Sequence, residues 1–154
     1  PSWTASLASW IANVADDVQF IADLIDQLVA TGCVDSRRVY VTGMSGGARM
    51  TSLLACRLST HIAAVAPVAG LRAGLPDGNN PSRPDPADCR PSRPVPLVTF
   101  HGTGDPVNPY SGGGPPYWGY GVNAALEQWA AINGCQGRPV ERRLARRSGE
   151  ADHR

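Results

Sequence analysis

Arg38 to Ser52 reads RVYVTGMSGGARMTS, and no other stretch restricts the fold as much. The run through Val39, Tyr40 and Val41 favours extended backbone. It passes through Gly43-Met44-Ser45-Gly46-Gly47 into a segment of small and helix-forming residues with no linker between. A strand that turns straight into a helix at Gly-x-Ser-x-Gly holds its serine in a strained conformation on a sharp turn. Gly43 and Gly47 provide the room for strand and helix to approach closely there. Ser45 is therefore a candidate nucleophile. The N–H of Gly46, at the helix N-terminus, is a candidate oxyanion donor, favoured by the helix dipole. A structural turn of small residues is the plainer alternative. A phosphate cradle fits poorly, since all 14 basic residues are Arg and no Lys is available for a phosphate loop or a Schiff base.

The flanking pattern predicts what surrounds this turn. Ile11, Val14, Val18, Ile21, Ile25 and Leu28 recur at steps of three and four, one face of an amphipathic helix that Gly32 ends. A strand is expected over RRVYVTG and a helix from about Gly46 to Leu58. HIAAVAPVAG (His61–Gly70) and VPLVTFHG (Val95–Gly102) read as buried strands. Between them, Pro76 to Pro96 is a proline-rich surface loop. SGGGPPYWGYG (Ser111–Gly121) is a second loop, followed by a helix around Val122–Ile132. The alternation predicts an α/β chain with a parallel sheet of about three core strands covered by helices.

A serine nucleophile needs a base, and the base needs an orienting carboxylate. In a strand–turn–helix arrangement of this kind the chain order is Ser, then Asp or Glu, then His. Asp105 follows the strand Leu97–His101 by a short Gly-containing turn, which places it at the same carboxyl edge as Ser45. Its alternative reading is a turn residue before Pro106. His61 and His101 both precede Asp105 and break the order; His101 reads as a packed neighbour of the site. His153 has the right order but stands next to the chain end, in a tail with six Arg in its last 17 residues.

Bulk composition narrows the class. A net charge of +1 gives no argument for nucleic acid or an anionic membrane as partner, and neither is expected. No stretch reaches the roughly 18 apolar residues of a membrane span. The four cysteines, Cys33, Cys56, Cys89 and Cys135, lack zinc spacing and suit disulfides in an exported protein better than a metal site. No metal or cofactor is expected. Tyr110, Tyr117, Trp118 and Tyr120 follow Asp105 directly; the first three are candidate substrate contacts by stacking, or else rings that pack the loop onto the domain.

NVADDVQFIADLID, RVYVTGMSGGARMTSLLACRLS, AAVAPVAG, VPLVTFHGTGDPVNPYSGGG and WAAINGC together resemble secreted esterases grouped with polyhydroxybutyrate depolymerases, a group that includes feruloyl and acetylxylan esterases. The resemblance runs from about Asn13 to Cys135. It implies an α/β-hydrolase fold with Ser45 as nucleophile and Asp105 as triad acid. By analogy with that family Cys56 and Cys89 pair, and Cys135 bonds a cysteine beyond this segment. Two family features are unmatched: the upstream His-Gly loop that gives a second oxyanion N–H, and the downstream Gly-Gly-His-Thr-Trp-Pro-type motif that carries the catalytic histidine.

The chain accordingly reads as a partial α/β-hydrolase, an incomplete domain over 1–137 whose N- and C-terminal strands are missing, followed by an Arg-rich, disordered or aberrant tail over 138–154. The expected activity is hydrolysis of a carboxylic ester, polyester, small ester or feruloylated or acetylated polysaccharide, by a secreted, extracellular monomer. The fragment alone is expected to be inactive. The alternatives are a prolyl-oligopeptidase-like serine peptidase and a non-catalytic α/β-hydrolase-like binding module. The cysteine-bearing LLAC and NGC segments suit the esterase reading better.

Overall fold

Three helices and two strands account for the regular structure in a computed structural model that describes residues 14–114 and 117–144. They are α1 (Val14–Thr31), β1 (Tyr40–Met44), α2 (Gly46–Arg57), β2 (Ala64–Val68) and α3 (Val122–Ile132). The 3.6-residue periodicity of the first segment gives α1, whose last turn closes when Gly32 N donates to Leu28 O at 2.9 Å. The short β-branched run gives β1, and the small residues after Ser45 give α2. α3 spans the predicted residues.

β1 and β2 pair in parallel, with Tyr40 opposite Ala64, Thr42 opposite Ala66 and Met44 opposite Val68. The crossover between them is α2, as a parallel connection requires. The third expected strand, 95–102, does lie beside β2, but only as isolated parallel bridges, Val65 to Leu97 and Val68 to Phe100. The reason is Pro67. A parallel ladder needs an N–H at that position of β2, and proline has none. Val65 is bonded on both sides, donating to Pro96 O at 3.0 Å and accepting from Val98 N at 3.1 Å. At Pro67 the carbonyl is instead shared between Thr99 Oγ1 at 2.7 Å and a long 3.4 Å bond from Phe100 N. Pairing resumes past the proline, where Ala69 N donates to Phe100 O at 2.8 Å.

One face of this sheet carries the core. Val65, Leu53, Leu54, Ile62, Leu71, Val95, Ala125 and Trp129 are buried together, with Val18, Ile21, Val41 and Leu97 packed against them. α1, α2 and α3 therefore share that face. Along α1 the packing fades: Leu28, expected on the buried stripe, is 48% exposed. The opposite sheet face shows Tyr40, Met44, Val98 and Phe100, all exposed.

The proline-rich segment is tied down rather than loose. Pro76 and Pro84 bridge in antiparallel fashion. Asp88 accepts Leu75 N at 2.7 Å, and Ser59 Oγ meets both Ser92 Oγ and Ser92 N at 2.9 Å. A disulfide joins Cys56 on α2 to Cys89, closing a sequence separation of 33 residues, while Cys33 and Cys135 are exposed free thiols. Loop-closure entropy for a ring of that size is about 3–4 kcal/mol. Replacing both Cys56 and Cys89 by Ala should lower unfolding free energy by about 2–4 kcal/mol in urea melts; an unchanged midpoint would show that the rest of the loop packing suffices.

Candidate active site

Ser45 has φ 52° and ψ −111°, a backbone geometry that non-glycine residues rarely adopt. Its own N–H continues the ladder by donating to Val68 O at 2.9 Å. Its carbonyl then accepts Ala48 N and Arg49 N, both at 3.1 Å, and so begins α2. The chain thus reverses from strand to helix over one residue. Two close approaches force that turn. A Cβ on Gly43 would lie 2.5 Å from the carbonyl carbon and oxygen of Gly47, and one on Gly70 would lie 2.5 Å from Ser45 O. Gly70 was not singled out in the sequence; it looked like a strand end. Gly47, expected to supply room for its neighbours, does so only as backbone, since a Cβ there would meet nothing within 4 Å.

Ser45 opens the helix without a side-chain cap bond, and its hydroxyl has no hydrogen-bond partner among the described residues. The N–H groups of Gly46 and Gly47 belong to the first turn of α2, which has no helical acceptors to offer them. Such N–H groups suit an anion.

Asp105 lies beyond the end of the 95–101 segment, neighbour of β2, so it shares the carboxyl edge with Ser45. Its carboxylate is firmly held. Oδ1 accepts Val107 N and Asn108 N, each at 2.9 Å, and Oδ2 lies 3.5 Å from His101 Nε2. The N–H of Asn108 first, then that of Val107, keeps the carboxyl below the ordinary value of 3.8, with the His101 ring adding to the effect.

Neither described histidine meets Ser45. The His101 side chain is buried; its Nε2 contacts Asn108 O at 2.8 Å and its Nδ1 has no partner among the described residues. His61 lies before β2, at the opposite end of the sheet, 3.6 Å from Asp26. There it borders a cavity of about 510 Å³ with Asp26, Arg37 and Arg93, remote from the elbow. His153 lies outside the described residues, as does the tail from 145 onward.

The aromatic loop corrects one expectation. Trp118 is 0% exposed, and its indole N–H donates to Pro109 O at 2.7 Å. It packs the loop onto the domain and offers no free face for a substrate. The physical cause is Arg72, whose guanidinium lies 4.7 Å from the Trp118 ring centre and 3.4 Å from that of Tyr120. Burial pushes Arg72 down to about 10 and raises the Tyr120 phenol. Tyr120 OH in turn donates to Gly74 O and accepts Ala73 N–H. Tyr110 and Tyr117 remain partly exposed: Tyr110 OH donates to Asn123 Oδ1 at 2.9 Å, and Arg49 lies 4.7 Å from the Tyr117 ring centre. Arg72 was not foreseen in the sequence, where a lone Arg after Gly-Leu carries no sign of burial.

Among the described residues no cluster of His, Cys, Asp and Glu could hold a metal ion, and no helix is long and apolar enough to cross a membrane.

Comparison with known proteins bears on the family and the fold. The family model described as Esterase PHB depolymerase matches residues 5–108. Feruloyl esterase B of Piromyces equi is 38% identical over 134 residues, which cover 82% of this chain and 24% of that protein. A probable feruloyl esterase C of Aspergillus niger is 30% identical over 136 residues, 88% of this chain and 42% of that protein. A bifunctional acetylxylan esterase/xylanase of Neocallimastix patriciarum is 30% identical over 110 residues, covering 71% of this chain and 15% of that protein. The chain thus spans less than half the length of these relatives. The crystal structure of a thermostable esterase superposes with a TM-score of 0.59 at 19% identity, over 86% of this chain and 31% of that one. The shared architecture makes the present fold a partial α/β-hydrolase.

Two outcomes follow from the geometry. Ser45→Gly should raise stability by about 1 kcal/mol, because glycine adopts φ 52° without the steric penalty; a loss in urea melts would show that the turn is unstrained. Asp105 has a lowered carboxyl, so its contribution is full above the ordinary 3.8 and fades as pH falls through its own lower value. The stability gap between the wild type and Asp105→Asn should therefore shrink between about pH 5 and about pH 2, and a constant gap would contradict this.

Proposed function

This chain belongs to the PHB-depolymerase esterase family, and from that premise we propose that it carries the nucleophile and the triad acid of a serine carboxylic-ester hydrolase. The observation that supports this most directly is the elbow itself: a serine at φ 52°, wedged between Gly43 and Gly70 at the start of a helix. Strain of this kind, about 1–3 kcal/mol, persists where the surrounding structure over-determines it and is concentrated at functional sites.

In the reaction, Ser45 Oγ attacks the ester carbonyl carbon while a base takes its proton. The tetrahedral oxyanion is met by the N–H of Gly46. Collapse expels the alcohol, which takes the proton back from the base, and leaves an acyl-Ser45 ester. Water then attacks that ester with the same base accepting its proton, which releases the carboxylic acid and restores the serine. Asp105, ionised and held by two backbone N–H groups, orients the base and stabilises its protonated form. The base is a histidine from outside the described residues, because His61 stands at the far end of the sheet and His101 is committed to Asn108 and Asp105. The feruloyl and acetylxylan esterases among the relatives point to acylated plant polysaccharide as the substrate class. Tyr110 and Tyr117, the rings near the site that keep some exposure, are the candidate contacts for an aryl acyl group or a sugar. The Cys56–Cys89 disulfide supports an oxidising, extracellular setting.

Hydrolysis of a p-nitrophenyl ester tests the assignment. The 154-residue chain should turn over little or no ester, whereas the full-length protein carrying these residues should be active. Ser45→Ala in that full-length protein should cost about 10³-fold or more in kcat. Strong hydrolysis by the 154-residue chain would return the base to His153, and full activity of Ser45→Ala would remove the nucleophile.

A further inference from the structure

Asn108 bonds both to the acid, Asp105, and to Arg49 and Ala69, which flank the elbow. The residue is 1% exposed, and its backbone N–H and carbonyl and its side-chain oxygen and nitrogen are each bonded. The backbone N–H donates to Asp105 Oδ1 at 2.9 Å, and the backbone carbonyl meets His101 Nε2 at 2.8 Å. Side-chain Oδ1 accepts Arg49 Nη1 at 3.3 Å, one helical turn after Ser45. Side-chain Nδ2 donates at 2.7 Å to the carbonyl of Ala69. Ala69 is the only described non-glycine residue besides Ser45 with positive φ, at 51°. It lies just past β2, next to the Gly70 that wedges the elbow.

We propose that Asn108 is a positioning residue that sets the acid loop of Asp105 in register with the nucleophile elbow, an inference that rests on the assignment of Ser45 and Asp105 given above. A triad acid works only if its free oxygen faces the base. With Oδ1 fixed by the N–H groups of residues 107 and 108, the orientation of Oδ2 follows the backbone at Asn108. The amide ties that backbone directly to the elbow side, through Arg49 on α2 and Ala69 beyond β2. A loose amide would leave the loop intact but free to shift against Ser45. Misplacement by about 1 Å costs on the order of 10²-fold in rate. An asparagine that only satisfied the core would need none of these particular partners. Here they lie on α2 after the elbow, at Ala69 beyond β2, and in the acid segment at His101 and Asp105.

The experiment is steady-state hydrolysis of an aryl ester by the full-length protein, with melts run beside it. Asn108→Ala should lower kcat by about 10- to 100-fold with KM changed less than threefold. Arg49→Gln, which leaves the buried amide in place, should lower kcat by about 3- to 10-fold, and the double variant should be no worse than Asn108→Ala alone, since both changes break one chain of contacts. Ser59→Ala, which removes the hydroxyl that meets Ser92 away from the site, should lower the melting temperature without changing kcat. If Ser45→Ala and Asp105→Asn abolish activity while Asn108→Ala keeps kcat within twofold, the positioning role is overturned and the triad assignment stands. If Asn108→Ala does not fold, Arg49→Gln decides on the same twofold limit. If Ser45→Ala or Asp105→Asn retains activity, the triad assignment fails and the role of Asn108 falls with it.

Discussion

The contact between Gly43 and Gly47 governs everything near Ser45. No side chain fits on Gly43, because its Cβ would come within 2.5 Å of the Gly47 carbonyl. That approach lets α2 start one residue after β1 ends and forces the intervening serine to positive φ. Gly70 repeats the constraint from the neighbouring strand end, against Ser45 O and Ala48 Cβ. The conformation is unfavourable by about 1–3 kcal/mol and is offset by what α2 buries: Ala48, Met50, Leu53, Leu54, Ala55 and Cys56 all lie in the interior. Burying a single Leu side chain contributes about 2 kcal/mol. The helix therefore holds the turn, and the strained turn in turn frees the serine hydroxyl.

The acid half of the site depends on a different device. The 95–101 segment forms no regular ladder, since Pro67 interrupts its pairing with β2, so sheet hydrogen bonds alone fix its carboxyl end weakly. Side chains replace them. Thr99 bonds to Pro67 O, Asn108 to Ala69 O, and Trp118 and Tyr120 pin the following loop around the Arg72 guanidinium. Buried cations are costly unless compensated. Arg72 has ring faces on two sides and a 3.1 Å bond from Nη1 to Tyr120 O, while its Nη2 has no partner among the described residues. The loop after Asp105 is thus built inward around a charge, which is why Trp118 is inside.

How much of this was legible depended on whether the cause was local. α3 and the β1–α2 junction are written in short-range periodicity and in the Gly-x-Ser-x-Gly spacing, and both were readable. Asp105 could be placed at the carboxyl edge because strand order follows from the alternation of elements. The weak third strand was also written locally, in the proline of HIAAVAPVAG, but a continuous apolar run concealed it. Trp118, Gly70, Arg72 and Asn108 were not legible as they stand in the fold. Each takes its role from a partner 20 or more residues away: Tyr120 O for Arg72, Ser45 O for Gly70, Ala69 O for Asn108. Periodicity does not report contacts of that separation, and an Asn before Pro109 looks like any turn residue.

The two sheet faces divide the molecule's energetics from its chemistry in an unexpected way. A parallel sheet ordinarily buries both faces. Here the described residues cover one, and Tyr40, Met44, Val98 and Phe100 stand at 52–71% exposure on the other. The half-site is held entirely from the covered side and the carboxyl edge, by α2, by residues 69–75 and by the loop from 105 to 120. On the proposed reading, a histidine brought to Asp105 Oδ2 would find the acid already ionised and oriented, and the serine already turned outward. Completing the site then requires a base ring at Asp105 and a second oxyanion N–H beside that of Gly46, while the elements that hold Ser45 and Asp105 stay where they are.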